Sequence, residues 1–348
     1  MTKLNETFTI KSVTFRNRIG MPPMCQYSSK AGFVNDWHLV HYGTRAIGGV
    51  GLIILEASAV VPEGRITPYD LGIWSDDHIA ELKKVVDFIH HHAAVAGIQI
   101  GHAGRKASHD SPANGGKQLT ALDGGWETVA PSAIAFDPNE IPPIELSSQD
   151  IKKLIEEFKS AAFRAKHAGF KVLEIHAAHG YLIHQFLSPL SNARKDEYGG
   201  SFENRIRFLI DIVKSVQSVW SKDLPLFVRL SVTDWVEGGW NPAETVELSK
   251  LLKDLNVDLI DCSSGGNIIN AQIPLAPGYQ VTFSELVRST GIMTAAVGLI
   301  TSATQIAEIL DANQADMVLL GRELLRNPYF VLQKIDTEAV PIQYLRAK

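Results

Sequence analysis

Cysteine is scarce in this chain: only Cys25 and Cys262 occur in 348 residues. Two thiols in a chain of this length make neither a disulfide framework nor a cysteine-rich metal cluster, and they suit a reducing cytoplasm. A basic excess is missing too. The formal net charge is −5, which leaves no electrostatic footprint for nucleic acid. No apolar run approaches the roughly 20 residues that cross a bilayer, which speaks against a membrane partner. The N-terminal MTKLNETFTIKSVTF lacks the apolar core of a signal peptide. Repeats and low-complexity tracts are not visible. No GxGxxG follows a strand-like segment, so a Rossmann dinucleotide site is unsupported. What remains is ordinary: 45% hydrophobic and 20% charged residues, the balance of a globular enzyme.

Against that background a rhythm stands out. Short, mostly apolar runs recur at Arg18–Met21, Gly51–Leu55, Gly97–Ile100, Lys171–Ile175, Leu226–Leu230, Leu259–Cys262, Met293–Val297 and Met317–Leu320. Continuous apolar runs, without alternation, mark parallel strands buried on both faces. Helical patterns separate most of them, at 38–47, 76–96, 150–168, 202–220, 242–255, 283–289 and 302–312. Ser75 is placed to cap the second, Gly169 to end the third, and Pro242 opens the fifth. Phe8-Thr-Ile and Val13-Thr-Phe alternate around Lys11-Ser12 and predict a hairpin that caps one end. Residues 108–146, rich in Gly, Pro, Asn and Asp, read as a long excursion over the other end. The pattern predicts an α/β fold: a (β/α)₈ TIM barrel in one domain, residues 1–348, with an N-terminal β-hairpin cap and extended βα loops.

In such a barrel the C-terminal strand ends converge on one site. The richest end is His176-Ala-Ala-His179-Gly-Tyr181. The two histidines fit zinc ligation or neutral hydrogen-bond donation to a substrate oxygen. Tyr181 is a weak base at neutral pH but a usable acid. Arg229 lies inside an apolar strand, which is costly unless it meets an anionic ligand or a carboxylate such as Glu174 or Glu56. Gly298 and Gly321-Arg322 follow the seventh and eighth strands, where this fold commonly cradles phosphate. Cys25 has no activating neighbour in its loop and reads as an inert thiol. His90-His91-His92 point in different directions on a helix and read as a solvated face.

These segments together resemble the Old Yellow Enzyme family of flavin ene-reductases, in its bacterial thermophilic-like subclass. The likeness runs through FTIKSVTFRNRIGMPPMCQYS, EASAVVPEGRIT, GIQIGHAGRKAS, AGFKVLEIHAAHGYLIHQFLSPLSNARKDEYGG, PLFVRLS, DLIDCSSGG, PGYQV, AVGLI, LLGRELLRNPYF and QYLRAK. It implies a barrel with non-covalent FMN, reduced by NADPH or NADH, that passes hydride to an alkene activated by a carbonyl or nitro group. By the same resemblance His176 and His179 bind the electron-withdrawing oxygen and Tyr181 protonates the α-carbon. Arg229 corresponds to the arginine beside flavin N1 and O2, and Gln99 to the residue on the pyrimidine edge. Pro23, Met24, Cys25 and Ala57 correspond to flavin contacts, and Gly298, Gly321 and Arg322 to the phosphate site. Lys106 and Arg326 correspond to residues near the flavin's outer edge or phosphate. Tyr27 corresponds to a substrate-pocket tyrosine. The C-terminal QYLR implies an oligomer, dimer or tetramer, in which the tail from about residue 335 lies at an interface and Arg346 enters a neighbour's pocket. Small enones and nitro compounds are the implied substrates, with no metal. Residues 107–128 are longer than in short members, which brings Trp126 within reach of the pocket. His184 is expected only to pack.

Overall fold

A computed structural model of the chain describes residues 3–334 and 340–347. After the hairpin of β1 (Phe8–Ile10) and β2 (Val13–Phe15) come the barrel strands β3 (Ile19–Met21), β4 (Leu52–Ala59) and β5 (Val95–Gly101). Helix α1 (Asp36–Ile47) joins β3 to β4, and α2 (His78–His91) joins β4 to β5. The excursion that follows contains a parallel pair of short strands, β6 (Val129–Ala130) and β7 (Ile144–Glu145). The alternation then resumes with α3 (Ser148–Ala168), β8 (Val172–Ala177), α4 (Leu182–Leu187), α5 (Phe202–Gln217) and β9 (Leu226–Ser231). It continues through α6 (Pro242–Asp254), β10 (Leu259–Ser263), α7 (Val281–Arg288), β11 (Met293–Ala296), α8 (Ala303–Asp311) and β12 (Met317–Leu319). Short helices α9 (Arg322–Arg326) and α10 (Phe330–Lys334) follow. Strands β3, β4, β5, β8, β9, β10, β11 and β12 close, all parallel, into one barrel. The predicted (β/α)₈ architecture is what forms.

Period-two alternation decides what each strand offers the interior. Leu173, Ile175, Val228, Leu230, Ile260 and Cys262 face outward into the core shared with the helices. Val172, Phe227 and Leu259 face inward, where they join Ile10, Val13 and Phe15 of the hairpin in a separate apolar cluster. The hairpin therefore plugs the N-terminal end, as its alternation predicts. Two residues further along each strand stand Glu174, Arg229 and Asp261, and two further still His176, Ser231 and Ser263. The interior thus grades from oil at the plugged end to dense polarity at the open end.

Local signals set the helix limits. Ser147 caps α3 by accepting from the Asp150 N–H, and Gly169 ends it at φ 94°. Asn241 caps α6 ahead of Pro242. Helix α2 departs from expectation at both ends: it starts after Asp77, stops at His91, and Ser75 is not its cap. Val95 and Ala96 are drawn into β5 instead, because the strand beside β4 offers backbone partners from Leu52 onward. The histidine run is also not a uniformly solvated face. His90 is half-buried and its Nε2 accepts from the Ala96 N–H at 3.2 Å, which ties the helix end to the strand start.

Candidate active site

The open end of the barrel holds a cavity of about 310 Å³, at the lower end of the usual range for small-molecule sites. Pro23, Met24, Arg229, Ser263, Gly298, Gly321 and Arg322 line it. Arg326 also lines it, paired with Glu323 at 2.6 Å. Arg229 is buried beside Asp261, with Nε 3.0 Å from Oδ2. Its carboxylate partner is thus neither Glu174 nor Glu56; strand register sets Asp261 directly opposite it. The contact lies off the N–H line, so Nε and both Asp261 oxygens lack a well-formed hydrogen bond. No described hydrogen bond engages the two terminal nitrogens of Arg229, which leaves its fork to face the cavity.

The glycine pair suits an anion. Gly298 sits at φ 121°, and a Cβ there would come within 2.8 Å of Gln280 Nε2. At Gly321 a Cβ would meet no protein atom closer than 3.6 Å, so the room beside its backbone belongs to the cavity. With Arg229, Arg322 and Arg326 around one hollow, and Glu323 the sole acid on its lining, the set fits a phosphorylated ligand carrying a polar ring.

The HAAHGY turn is locked from every side. His179 and Gly180 both lie in the left-handed region, at φ 59° and 72°. A Cβ on Gly180 would stand 2.2 Å from Gly266 O, so only glycine fits. The His179 N–H donates to Ser231 Oγ at 2.9 Å, and its Nε2 lies 2.7 Å from Ser263 Oγ. Lys106 Nζ donates to His179 O and Gly266 O, both at 2.9 Å. The Gly180 N–H donates to His184 Nδ1 at 2.9 Å, which places a ring hydrogen on Nε2, 3.0 Å from Asp234 Oδ1. His184 is therefore part of the turn's support, more than the packing residue expected of it. Burial opposes ionisation of Asp234, but His184, the Ser188 hydroxyl and the Trp240 N–H outweigh it and hold the carboxyl at about 2.

The chemistry-bearing rings meet above this turn. His176 stands edge-on to His179 at 5.2 Å and to Tyr181 at 4.9 Å between ring centres. His176 Nδ1 accepts from the Ala178 N–H at 3.3 Å, leaving Nε2–H as the donor. Burial, with Arg229 nearby, holds both imidazoles well below their ordinary pKa, so they are neutral donors at pH 7. Burial pushes the Tyr181 hydroxyl well above its ordinary range, aided by Cys25, Tyr27 and Asp70, so it carries its proton. Lys106 Nζ lies 5.1 Å from the Tyr181 ring centre, and burial brings its ammonium down to about 8. This places Lys106 beside the acid and the turn.

Other expected members fall as follows. Ala57 lines a narrow recess beside His176 and Tyr181. Gln99 is buried, with Nε2 2.8 Å from Glu174 Oε1. Tyr27 is half-buried at φ 52°. The half-buried Cys25 thiol is pushed well above its ordinary pKa by desolvation and by Asp70 and Glu56, which argues against a nucleophile. Arg346 lies exposed in the turn Ile342–Ala347, away from this chain's cavity lining; residues 335–339 and 348 of the expected interface tail lie outside the described residues. Trp126 does not enter the cavity. Its Nε1 donates to Glu63 O at 2.8 Å and Arg65 stacks on its ring at 4.7 Å, which pins it to the outer surface. Among the described residues no three His, Cys, Asp or Glu side chains form a metal-ligand set, and His179 Nε2 is committed to Ser263.

Sequence reasoning passed over Asp261, Glu174 as a Gln99 partner, and Asp70, whose carboxyl lines the recess beside Tyr181 and is raised to about 7 by burial. The signal for the first two was present: each is a lone acid inside an apolar strand, as conspicuous as Arg229.

A parallel barrel whose open end brings a phosphate-suited cradle together with neutral donors and a protonated tyrosine has the equipment of an enzyme. The chain matches the NADH:flavin oxidoreductase / NADH oxidase family over residues 3–339. It belongs to that family, and is Old Yellow Enzyme-like. It is 50% identical over 354 residues to the NADPH dehydrogenase of Listeria innocua serovar 6a, covering 100% of this chain and 99% of that protein. The NADPH dehydrogenase of Bacillus subtilis (strain 168) is 50% identical over 351 residues, covering 99% and 98%. Among solved structures, morphinone reductase superposes with a TM-score of 0.81 at 28% identity, covering 97% of this chain and 91% of that one. The chain is an oxidoreductase.

Proposed function

We propose that this chain is an FMN-dependent, NAD(P)H-consuming ene-reductase. The observation that carries the reading is a cavity lined by Arg229, Gly298, Gly321 and Arg322, with His176 and Tyr181 lining a second recess at the same end of the barrel and His179 edge-on to His176. Those residues, with Pro23, Met24, Cys25, Ala57 and Gln99, would hold non-covalent FMN. When bound, FMN supplies the hydride chemistry, taking hydride from NADPH (or NADH) and giving it to the β-carbon of an enone or nitroalkene.

The chain's own residues do the rest. Negative charge develops on the carbonyl or nitro oxygen during that transfer. His176 Nε2–H and the free ring nitrogen of His179 are the donors that meet it, and a preformed donor pair in a dry site is worth several kcal/mol of barrier, about 3–4 per donor. Tyr181 then delivers its proton to the α-carbon. Tyr27 shapes the substrate space. Arg346 of a neighbouring copy would complete the pocket in a homodimer or homotetramer. Two free thiols fit a cytoplasmic setting.

Purified protein should bind FMN, turn yellow, and bleach anaerobically with NADPH. Cyclohexenone or maleimide should then restore the colour. Tyr181→Phe should slow that second half-reaction by about 10²–10⁴-fold and leave the first nearly intact. A colourless chain that takes up no FMN overturns the reading; so does turnover of NADPH with no alkene reduced.

A further inference from the structure

Beneath the cavity lies a layer of side chains for which the reaction above has no use. Glu174 and Asp261 are each 0% exposed, on β8 and β10. Between them runs β9 with Arg229, and beside Glu174 runs β5 with Gln99. Each acid touches one polar group of the barrel interior, Gln99 for Glu174 and the cavity-lining Arg229 for Asp261. Glu174 Oε1 accepts from Gln99 Nε2 at 2.8 Å, and Asp261 stands 3.0 Å from Arg229 Nε. Beyond those contacts the layer is under-satisfied: Glu174 Oε2 and both Asp261 oxygens lack a hydrogen-bond partner. Buried polar atoms are seldom left so without a reason.

We infer that Glu174 and Asp261 are positioning residues, which aim Gln99 and Arg229 at the ring of the bound cofactor. This rests on the FMN reading above. A glutamine amide has two ends that differ chemically, and nothing in its own shape prefers one. Glu174 Oε1 accepts from the amide NH₂ of Gln99, so it claims Nε2 and turns the Gln99 Oε1 away from itself. Oε1 is an acceptor, the group required by an imide N–H such as that of a flavin pyrimidine. Arg229, its Nε held toward Asp261, presents its terminal N–H groups, the donors required by the adjoining carbonyls. The two acids thus set an acceptor next to a donor, in an order that matches one ring edge and not its reverse.

The charge balance agrees. Two carboxyls share one guanidinium in a dry layer, and ionising both would leave an uncompensated charge. Burial, reinforced by Asp261, raises Glu174 to about 8 despite Arg229 and Gln99 pulling the other way. A proton on Glu174 leaves the layer neutral and keeps Oε1 as an acceptor. Glutamine is therefore the near-equivalent of the native side chain, and leucine is not.

The test compares wild type, Glu174→Gln, Glu174→Leu, Gln99→Leu and the Gln99→Leu/Glu174→Leu pair. FMN affinity is read by flavin fluorescence quenching, the midpoint potential by dye-coupled titration, and folding by circular dichroism. Glu174→Leu should bind FMN roughly tenfold more weakly, the scale of one misdirected hydrogen bond, with a shifted potential. Glu174→Gln should stay within about twofold of wild type in affinity, on the same scale. If Glu174 acts through Gln99, adding Glu174→Leu to Gln99→Leu changes neither readout; that pair removes both partners together and tests the idea even where the single leucine variant misfolds. Folded Glu174→Leu with wild-type affinity and potential overturns the inference alone, as does a further loss in the double variant equal to that in wild type. A wild-type chain that binds no FMN overturns it together with the proposed function.

Discussion

Two buried acids, one within β8 and one just past β9, meet opposite fates. Asp234 Oδ2 accepts from the Ser188 hydroxyl and the Trp240 N–H at 2.5 and 2.9 Å, and His184 stands against Oδ1. Its carboxyl is held at about 2. Glu174 has the Gln99 amide and little else, and burial drives it up to about 8. Both are 0% exposed, so depth does not explain the difference; the supply of donors does. The well-supplied acid braces backbone, namely the His179-Gly180 turn. The poorly supplied one lies under a hollow whose polar walls suit a ligand. Asp234 Oδ1, like Glu174 Oε2, lacks a well-formed hydrogen bond; what separates the two acids is two donors and an imidazole gathered on Asp234 against one amide on Glu174.

The sharpest way to break this contrast is Asp234→Ala. Removing one partner of a buried charged cluster should cost about 3–5 kcal/mol, read by chemical denaturation. A loss below about 1 kcal/mol, the size of an ordinary hydrogen bond, would deny the brace. Next, Gly180→Ala forces a side chain onto a left-handed backbone against Gly266 O. It should cost at least about 1–3 kcal/mol and slow recolouring by the alkene more than bleaching by NADPH. Unchanged stability would mean that the turn can rearrange.

The two acids should also tilt stability with pH in opposite senses. Unfolded Asp234 titrates near about 3.9 and the folded group near about 2. Its contribution is present above pH 4 and fades as pH falls toward 2; Asp234→Asn should lack that acid-side loss. Folded Glu174 keeps a proton up to about 8 that the unfolded chain sheds near about 4.3. Wild type should therefore lose stability, relative to Glu174→Gln, as pH rises through that window. Melting temperatures of the three proteins from pH 3 to 9 check both signs. The smallest effect is expected at Trp126→Ala: about 0.5–1 kcal/mol from a lost cation–π contact and unchanged kcat/KM for small enones, since the ring lies outside the cavity.

Much of this was legible beforehand, for identifiable reasons. Parallel strands buried on both faces write themselves as apolar runs, so all of the barrel strands were found within a few residues. Glycines forced by close approach, such as Gly298, and a charge lodged in an apolar strand, such as Arg229, also show in one dimension. What failed depends on partners far along the chain. For Arg229 the chain in one dimension offers an anionic ligand or a carboxylate such as Glu174 or Glu56, whereas its acid partner, Asp261, is chosen by the register of β9 on β10. His184 looked like packing because its importance lies in Asp234, two strands' worth of sequence away. Helix α2 was overextended because HHHAAVA suits a helix locally, while β4 recruits its tail into the sheet. Trp126 was placed near the pocket because an excursion's path cannot be read from its composition.

The β1–β2 hairpin has one more implication. By filling the narrow end with Ile10, Val13 and Phe15, it closes that end of the barrel and leaves the opposite, polar end as the approach to the cavity. On the function proposed above, the nicotinamide and the alkene would use the same entrance in turn.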